Sequence, residues 1–401
     1  MENNELYLDE FKVLNRTVND DEDISYVLEA INKPTNCPIC GAKLHKHKSV
    51  IRKVRDIGYG HKVELFIKGN RYRCSNKDCG AIVGESYKSI SDGSQFTNRF
   101  KEQIKKESVS YTFKEIADKL VISPSTVAEL FKENTKFLNF YYQPKAPIVL
   151  GICEVNLKKN KYTVFVDATM GKVIEIKEDC NEKLVVDFIN ELDDKNKIEY
   201  VIMGFNYPCV QAIRKTIPNT IIVVDKYYVI EELLNGLKQK IKDICKEIKQ
   251  EDGVTITRGY KSLMLKSADD LSPREYDKLN KLFEKYPCFK KTYDFKEAFV
   301  SIYNNATSLQ EALDFLYELT DDWDTLSDGG YEDFINLVLN WQNEVFGYFT
   351  CPYKNIDVEG LNGAIKELDR EGRGYSFETL RDKAVLKNFI TRQKDEKGYE
   401  K

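Results

Sequence analysis

Between Thr97 and Lys132 apolar residues recur every three to four positions, a spacing that predicts three short helices. Thr97–Ser108 is the first. Thr112-Phe113-Lys114-Glu115 has the side chains of a capping box and opens the second, which continues through Ile116-Ala117-Asp118-Lys119-Leu120. Ser123 suits the cap of a third helix, Pro124–Lys132, with proline at the first position, where a missing N–H costs nothing. Ala117 is small enough for a close crossing, and Leu120, Ile122 and Val127 supply a core between helices. Residues 95–141 therefore read as a helix-turn-helix, with a plain helical hairpin as the alternative. In the first reading Ser125, Thr126, Glu129 and Lys132 face a DNA major groove.

Elsewhere the period is two. Lys62–Ile67 and Asn70–Arg73 alternate as two strands around a Lys68-Gly69-Asn70 turn. Beyond Pro147, strands are expected at Ile148–Asn156, Tyr162–Asp167 and, after a Met170-Gly171 turn, Lys172–Ile176. Helix Glu182–Leu192, strand Tyr200–Met203, helix Pro208–Lys215 and strand Thr220–Asp225 follow. This βββαβαβ order is that of a ribonuclease H-like α/β core. Residues 228–349 read as almost wholly helical, and a last helix spans about Asp357–Glu367. No run approaches the roughly 18 apolar residues that cross a bilayer, so no membrane partner is expected. The polar, acidic start lacks a secretory signal, and a cytoplasmic location is expected.

Charge changes the picture more than overall composition does. The 401 residues carry a net −4, but unevenly. Residues 1–36 hold three Lys/Arg and nine Asp/Glu, a net −6. Residues 37–106 hold sixteen and six, a net +10, and residues 300–345 hold none and ten, a net −10. A basic block in an acidic chain is the footprint of phosphate contact. Lys46, Lys48, Arg52, Lys53, Arg55, Arg71 and Arg73 are its candidate DNA contacts, with a solvated basic face as the plainer reading. Double-stranded DNA is the expected partner. A homodimer and a protein partner on the acidic 300–345 face are further expectations.

The same block contains Cys37-Pro-Ile-Cys40 and, after thirty-three residues, Cys74-Ser-Asn-Lys-Asp-Cys79. Two short-spaced pairs supply the four soft ligands of a closed zinc tetrahedron, which leaves no position for water, so the zinc is structural. Gly41 and Gly80 let the backbone turn beneath the metal and aim amides at sulfur. His45, His47 and His61 are then surplus to the ligand set and read as exposed basic residues. The fold class is α+β multidomain. An acidic N-terminal segment (1–36), a zinc ribbon (37–92) and a helix-turn-helix (95–141) come first. The ribonuclease H-like core (147–227), a large helical insertion (228–349), and the core's C-terminal helix and tail (350–392) follow.

From about residue 30 to 390 this organisation resembles the ISL-three family of insertion-sequence transposases of the DDE type. The sharpest likeness is Val358-Glu359-Gly360-Leu361-Asn362-Gly363-Ala364-Ile365-Lys366 with Arg370, Gly374-Tyr375, Phe377, Leu380 and Arg381, similar to the family's E-G-x-N-x-x-I-K…R…G-Y-x-x-F-x-x-L-R ending. Arg71-Tyr72-Arg73-Cys74, Leu150-Gly151-Ile152-Cys153-Glu154-Val155 and Ile222-Val223-Val224-Asp225-Lys226-Tyr227-Tyr228-Val229 resemble three further family motifs. The resemblance implies three metal-binding carboxylates holding Mg²⁺ for DNA strand transfer. Of these only Glu359 is retained. Cys153 stands at the first position, Gly204 aligns with the second, and Tyr228 replaces a histidine. A thiol is a poor ligand for Mg²⁺, which prefers hard oxygen, and glycine offers none. Glu154, Asp167 and Asp225 are the candidate substitutes. The expectation is a transposase-derived DNA-binding protein with an inactive strand-transfer site. The alternative is a divergent DDE transposase that uses a rearranged carboxylate set.

Overall fold

Alternation through Val63-Glu64-Leu65-Phe66-Ile67 does not stop at Gly69 but runs on to Cys74. The computed structural model describes residues 6–140, 143–157, 160–321, 331–353 and 358–387, and the side chains of all of these but 137–140, Val358 and Glu359. They fall into two compact units, Met1–Tyr142 with Asp369–Lys387, and Gln143–Leu368. The segment 350–392, read from sequence as one helix and tail, is thus divided, and its residues 388–392 lie outside the described residues. So do 322–330 of the acidic stretch.

In the first unit β1 (Phe11–Val18), β2 (Ile24–Ala30), β3 (Leu44–Asp56), β4 (Val63–Cys74) and β5 (Ile82–Gly84) form one sheet in the order β1-β2-β4-β3, with β5 also on β4. β2 runs parallel to β4, and the other pairs are antiparallel. Leu28, Val54, Leu65 and Ile67 are fully buried between them. The expected turn at Lys68-Gly69-Asn70 is absent. Gly69 pairs with Val50 in mid-ladder. A Cβ there would lie 2.7 Å from Tyr87 Oη and 3.1 Å from Glu85 Oε2. The glycine marks a close approach, not a reversal. The chain reverses instead between Asp56 and Val63. The acidic N-terminal segment contributes β1 and β2, which the hydropathy pattern left unassigned because most of β1 is exposed.

Three helices follow, α1 (Asn98–Glu107), α2 (Phe113–Leu120) and α3 (Pro124–Phe140). Thr97 caps α1 through Phe100 N (3.2 Å), and the capping box of Thr112 and Glu115 is formed. α3 extends past Lys132, since no glycine or proline intervenes before Pro144. Phe100, Ile116, Ala117, Leu120, Val127 and Phe131 are buried together. Buried Asp56 joins sheet to helices, accepting from Thr97 Oγ1 (2.7 Å) and the Arg99 guanidinium.

The second unit holds β6 (Val149–Leu157), β7 (Asn160–Asp167), β8 (Lys172–Glu178), α4 (Glu182–Glu191), β9 (Tyr200–Met203), α5 (Tyr207–Thr216) and β10 (Ile221–Val224). Each lies within two residues of its expected bounds. The sheet order is β10-β9-β6-β7-β8, with β9 and β10 parallel to β6 and the meander antiparallel. Ile152, Phe165, Phe188, Ile189 and Ile213 pack this sheet against α4 and α5. α6 (Lys226–Glu251) leads into α7 (Arg258–Leu265), α8 (Pro273–Lys285), α9 (Pro287–Asn305), α10 (Leu309–Asp321), α11 (Glu332–Asn340) and α12 (Gln342–Phe346), which bury a separate aromatic-rich core. α13 (Val358–Gly372) and α14 (Phe377–Leu386) end the described chain. Among the described residues no helix is long and apolar enough to cross a membrane.

Candidate functional site

Cys37 and Cys40 lie on the turn before β3, Cys74 ends β4, and Cys79 lies on the turn before β5. The two turns close alike. Gly41 N donates to Cys37 O (2.8 Å) and Gly80 N to Asn76 O (3.0 Å), both glycines at positive φ. The four ligand atoms lie within 4.8 Å of one another. Sγ of Cys37 and Cys79 are 3.9 Å apart, and those of Cys40 and Cys74 are 3.4 Å apart. A tetrahedron of Zn–S bonds near 2.3 Å has edges of about 3.8 Å, so the set fits zinc. The amides of Cys40 and Ile39 hold the Cys37 thiol down to about 7, whereas burial pushes Cys74 up to about 12. Ionising the Cys74 thiol at neutral pH therefore calls for a cation beside it. His45 and His47 are exposed on β3, and His61 Nδ1 lies 3.1 Å from Tyr59 O, all outside the sulfur set.

The basic candidates divide by what they touch. Arg52 donates to Ser91 O (2.8 Å) and Ser94 O (2.7 Å). Arg55 donates to Leu120 O (3.2 Å) and Val121 O (3.3 Å), bracing the end of α2 where Val121 is left-handed at φ 52°. Lys53 pairs with Glu64 at 2.9 Å. These three work inside the unit. Lys46, Lys48, Arg71 and Arg73 are exposed. Cross-strand pairing of Lys48 with Arg71 and of His45 with Arg73 puts those four on one face, a cationic strip at the cysteine end of the sheet. Lys46, paired with Tyr72, belongs to the other face. On α3, Ser125, Glu129 and Lys132 are exposed at helical spacing. Thr126 is half-buried, and its N–H donates to Ser123 Oγ (3.1 Å).

A cavity of about 380 Å³ lies where β9 ends beside the middle of β6 and the first turns of α6. Pairing of Ile152 with Met203 puts Cys153, in mid-β6, next to Gly204 just beyond the end of β9. Cys153 is buried, and its Sγ donates to Asn362 Oδ1 at 3.1 Å. Asn362 Nδ2 returns a bond to Glu154 O at 3.2 Å. Asn362 lies on α13 one turn beyond Glu359, whose side chain lies outside the described residues. A Cβ on Gly204 would meet the Tyr228 ring at 3.3–3.4 Å. The substitute acids are scattered. Glu154 lines the cavity and lies 4.0 Å from Lys161 Nζ. Asp225 caps α6 through Tyr227 N (3.0 Å). Asp167 holds the Thr169 and Met170 amides in a turn, opposite Leu150 rather than Cys153. Sequence reasoning missed Asn206, Glu231, Glu232 and Lys366 as cavity residues. Asn362 and Lys366 had a signal, since both stand in the Glu359 motif.

Two mixed sheets, a four-sulfur cluster and strand ends facing a late helix define a multidomain α/β protein with a candidate metal centre. Residues 150–384 match a family of transposases, and by that match the chain belongs to the ISL-three transposases of the DDE type. No curated protein matches the chain. DDE chemistry uses Mg²⁺, and the side chain of Glu359 lies outside the described residues. Cys153 and Gly204 bring no carboxylate, and among the described residues the one group of three or more ligand atoms within mutual reach is the cysteine quartet.

Proposed function

We propose that this ISL-three family member binds duplex DNA and has lost strand transfer. In this reading the cysteine quartet holds a structural zinc in a ribbon, α2 and α3 are a helix-turn-helix, and the β6–β10 sheet is a ribonuclease H-like core carrying the helical insertion. The cationic strip of Lys48, Arg71 and Arg73 and the α3 face of Ser125, Glu129 and Lys132 meet the DNA. The observation that carries the loss of chemistry is the Cys153–Asn362 hydrogen bond (3.1 Å) beside Gly204, whose Cα faces a tyrosine ring. Two-metal phosphoryl transfer needs ions about 4 Å apart clamped by several carboxylates. Here a thiol and a ring take those places.

The experiment incubates the purified chain and its own flanking DNA with Mg²⁺ or Mn²⁺. No cleavage or joining is expected. Metal-dependent cleavage abolished by Glu359→Gln would overturn the reading. One observation favours a rearranged acid set instead: Glu154, Glu231 and Glu232 line the same cavity. Cleavage lost on Glu231→Gln or Glu232→Gln would establish that alternative.

A further inference from the structure

The Arg370-to-Arg381 part of the family likeness packs on α1–α3 within the first unit. Lys383, buried on α14, sends its ammonium to the carbonyls of Ser108 and of Tyr111 (2.9 Å), closing the end of α1. Rings of Phe113, Tyr375 and Phe131 lie 4.9, 5.2 and 5.7 Å from its Nζ. Tyr375 Oη accepts from Phe113 N (3.3 Å), one of the amides that every helix start leaves unpaired. The turn before it is tightly specified. A Cβ on Gly372 would strike the Tyr375 ring at 2.1 Å, and Gly374 has φ 120°. Between them Arg373 is held left-handed at φ 41°, a conformation that disfavours a side chain.

This turn forms one wall of a groove of about 1200 Å³, and the starts of α2 and α3 form the other. Lys114, Arg370, Arg373, Ser125, Ser376 and Thr379 present cations and hydroxyls to it. Lys114 and Arg373 are exposed and have no ion-pair partner among the described residues. Of the two acids in the lining, Glu115 is spent on the Thr112 cap, and Glu371 stands exposed. Ser125 belongs both to the groove and to the face of α3 proposed to enter DNA, so the two surfaces are continuous.

We propose that the turn Arg370–Thr379 is a second DNA-contacting element, which grips phosphates of the duplex that α3 enters. This rests on the DNA-binding reading above. It explains why an arginine occupies a left-handed position at a cost: its charge is aimed into the groove rather than into the fold. Phosphate contacts beside a recognition helix fix its register and orientation on the duplex.

The test measures binding of the full chain to duplex DNA across a salt series. Arg373→Glu and Lys114→Glu should each weaken binding roughly 3- to 10-fold and lower the log–log salt slope by about one. Arg373→Gly should keep the thermal midpoint, because glycine accepts φ 41°, yet weaken binding like the charge reversal. Arg373→Lys should retain most binding. Parent-like affinity and slope in Arg373→Glu and Arg373→Gly would overturn this inference alone. Failure of the parent chain to bind any duplex would overturn the DNA reading with it. If Arg373→Glu instead lost affinity for polyglutamate but not for DNA, the groove would belong to an acidic protein and the proposal would fall.

Discussion

Lys383 is the residue with the most unusual surroundings. Burial lowers its ammonium to about 8. Below that pH both the folded and the unfolded chain hold the proton, and the cost of burying the charge is fully present. Between about 8 and the ordinary lysine value near 10.4 the unfolded chain binds the proton that the folded chain has shed. Stability from this residue therefore rises with pH across that window. The thermal midpoint of the parent should climb relative to Lys383→Met between pH 8 and 10, and a constant gap would refute it. At the strand-end cavity, Gly204→Asp should cost about 1–3 kcal/mol by crowding Tyr228, and Tyr228→Ala should recover part of it in a denaturant titration. That Cys153 and Gly204 bring no carboxylate was legible from residue type. That Asn362 meets Cys153 and Tyr228 lies over Gly204 was not, because they come from other elements.

At the scale of elements, the helices and the inner strands were the legible part. Caps at Thr97, Thr112 and Ser123 announce helix starts, and strands such as Tyr200–Met203, nearly wholly buried, read as apolar runs. β1 was illegible because an edge strand with exposed side chains has no hydrophobic period. β4 was misread because a glycine under a tyrosine looks, in one dimension, like a glycine in a turn. Gly69→Ala should cost about 1–3 kcal/mol in a denaturant titration through the Tyr87 and Glu85 contacts. The cysteine end of this sheet has its own test. Metal analysis should find one zinc per folded chain, and Cys74→Ser should remove it and unfold the ends of β3–β5. Retained zinc in that variant would refute the quartet.

For the whole molecule, duplex binding should fall steeply with salt, and deleting residues 1–140 should abolish it. Equal binding by the remaining chain would refute the assignment. The cysteine cluster was legible from its spacing, and the second sheet from the change of period after Pro147. The return of Asp369–Lys387 to the first unit was not. An amphipathic helix states that one face is buried but not which core receives it, and Lys383 reads as a surface residue until its carbonyl partners are known.

That return sets a timetable for biosynthesis. Ribosomes add about 5–20 residues per second, so roughly 10–50 s separate emergence of α3 from emergence of α14. Throughout that interval the last turn of α1 lacks its ammonium cap and Phe113 and Phe131 lack their lid. A nascent chain therefore carries an unfinished first unit, and a prematurely terminated one never completes it. On the proposed DNA-binding reading, only the finished polypeptide carries the complete unit.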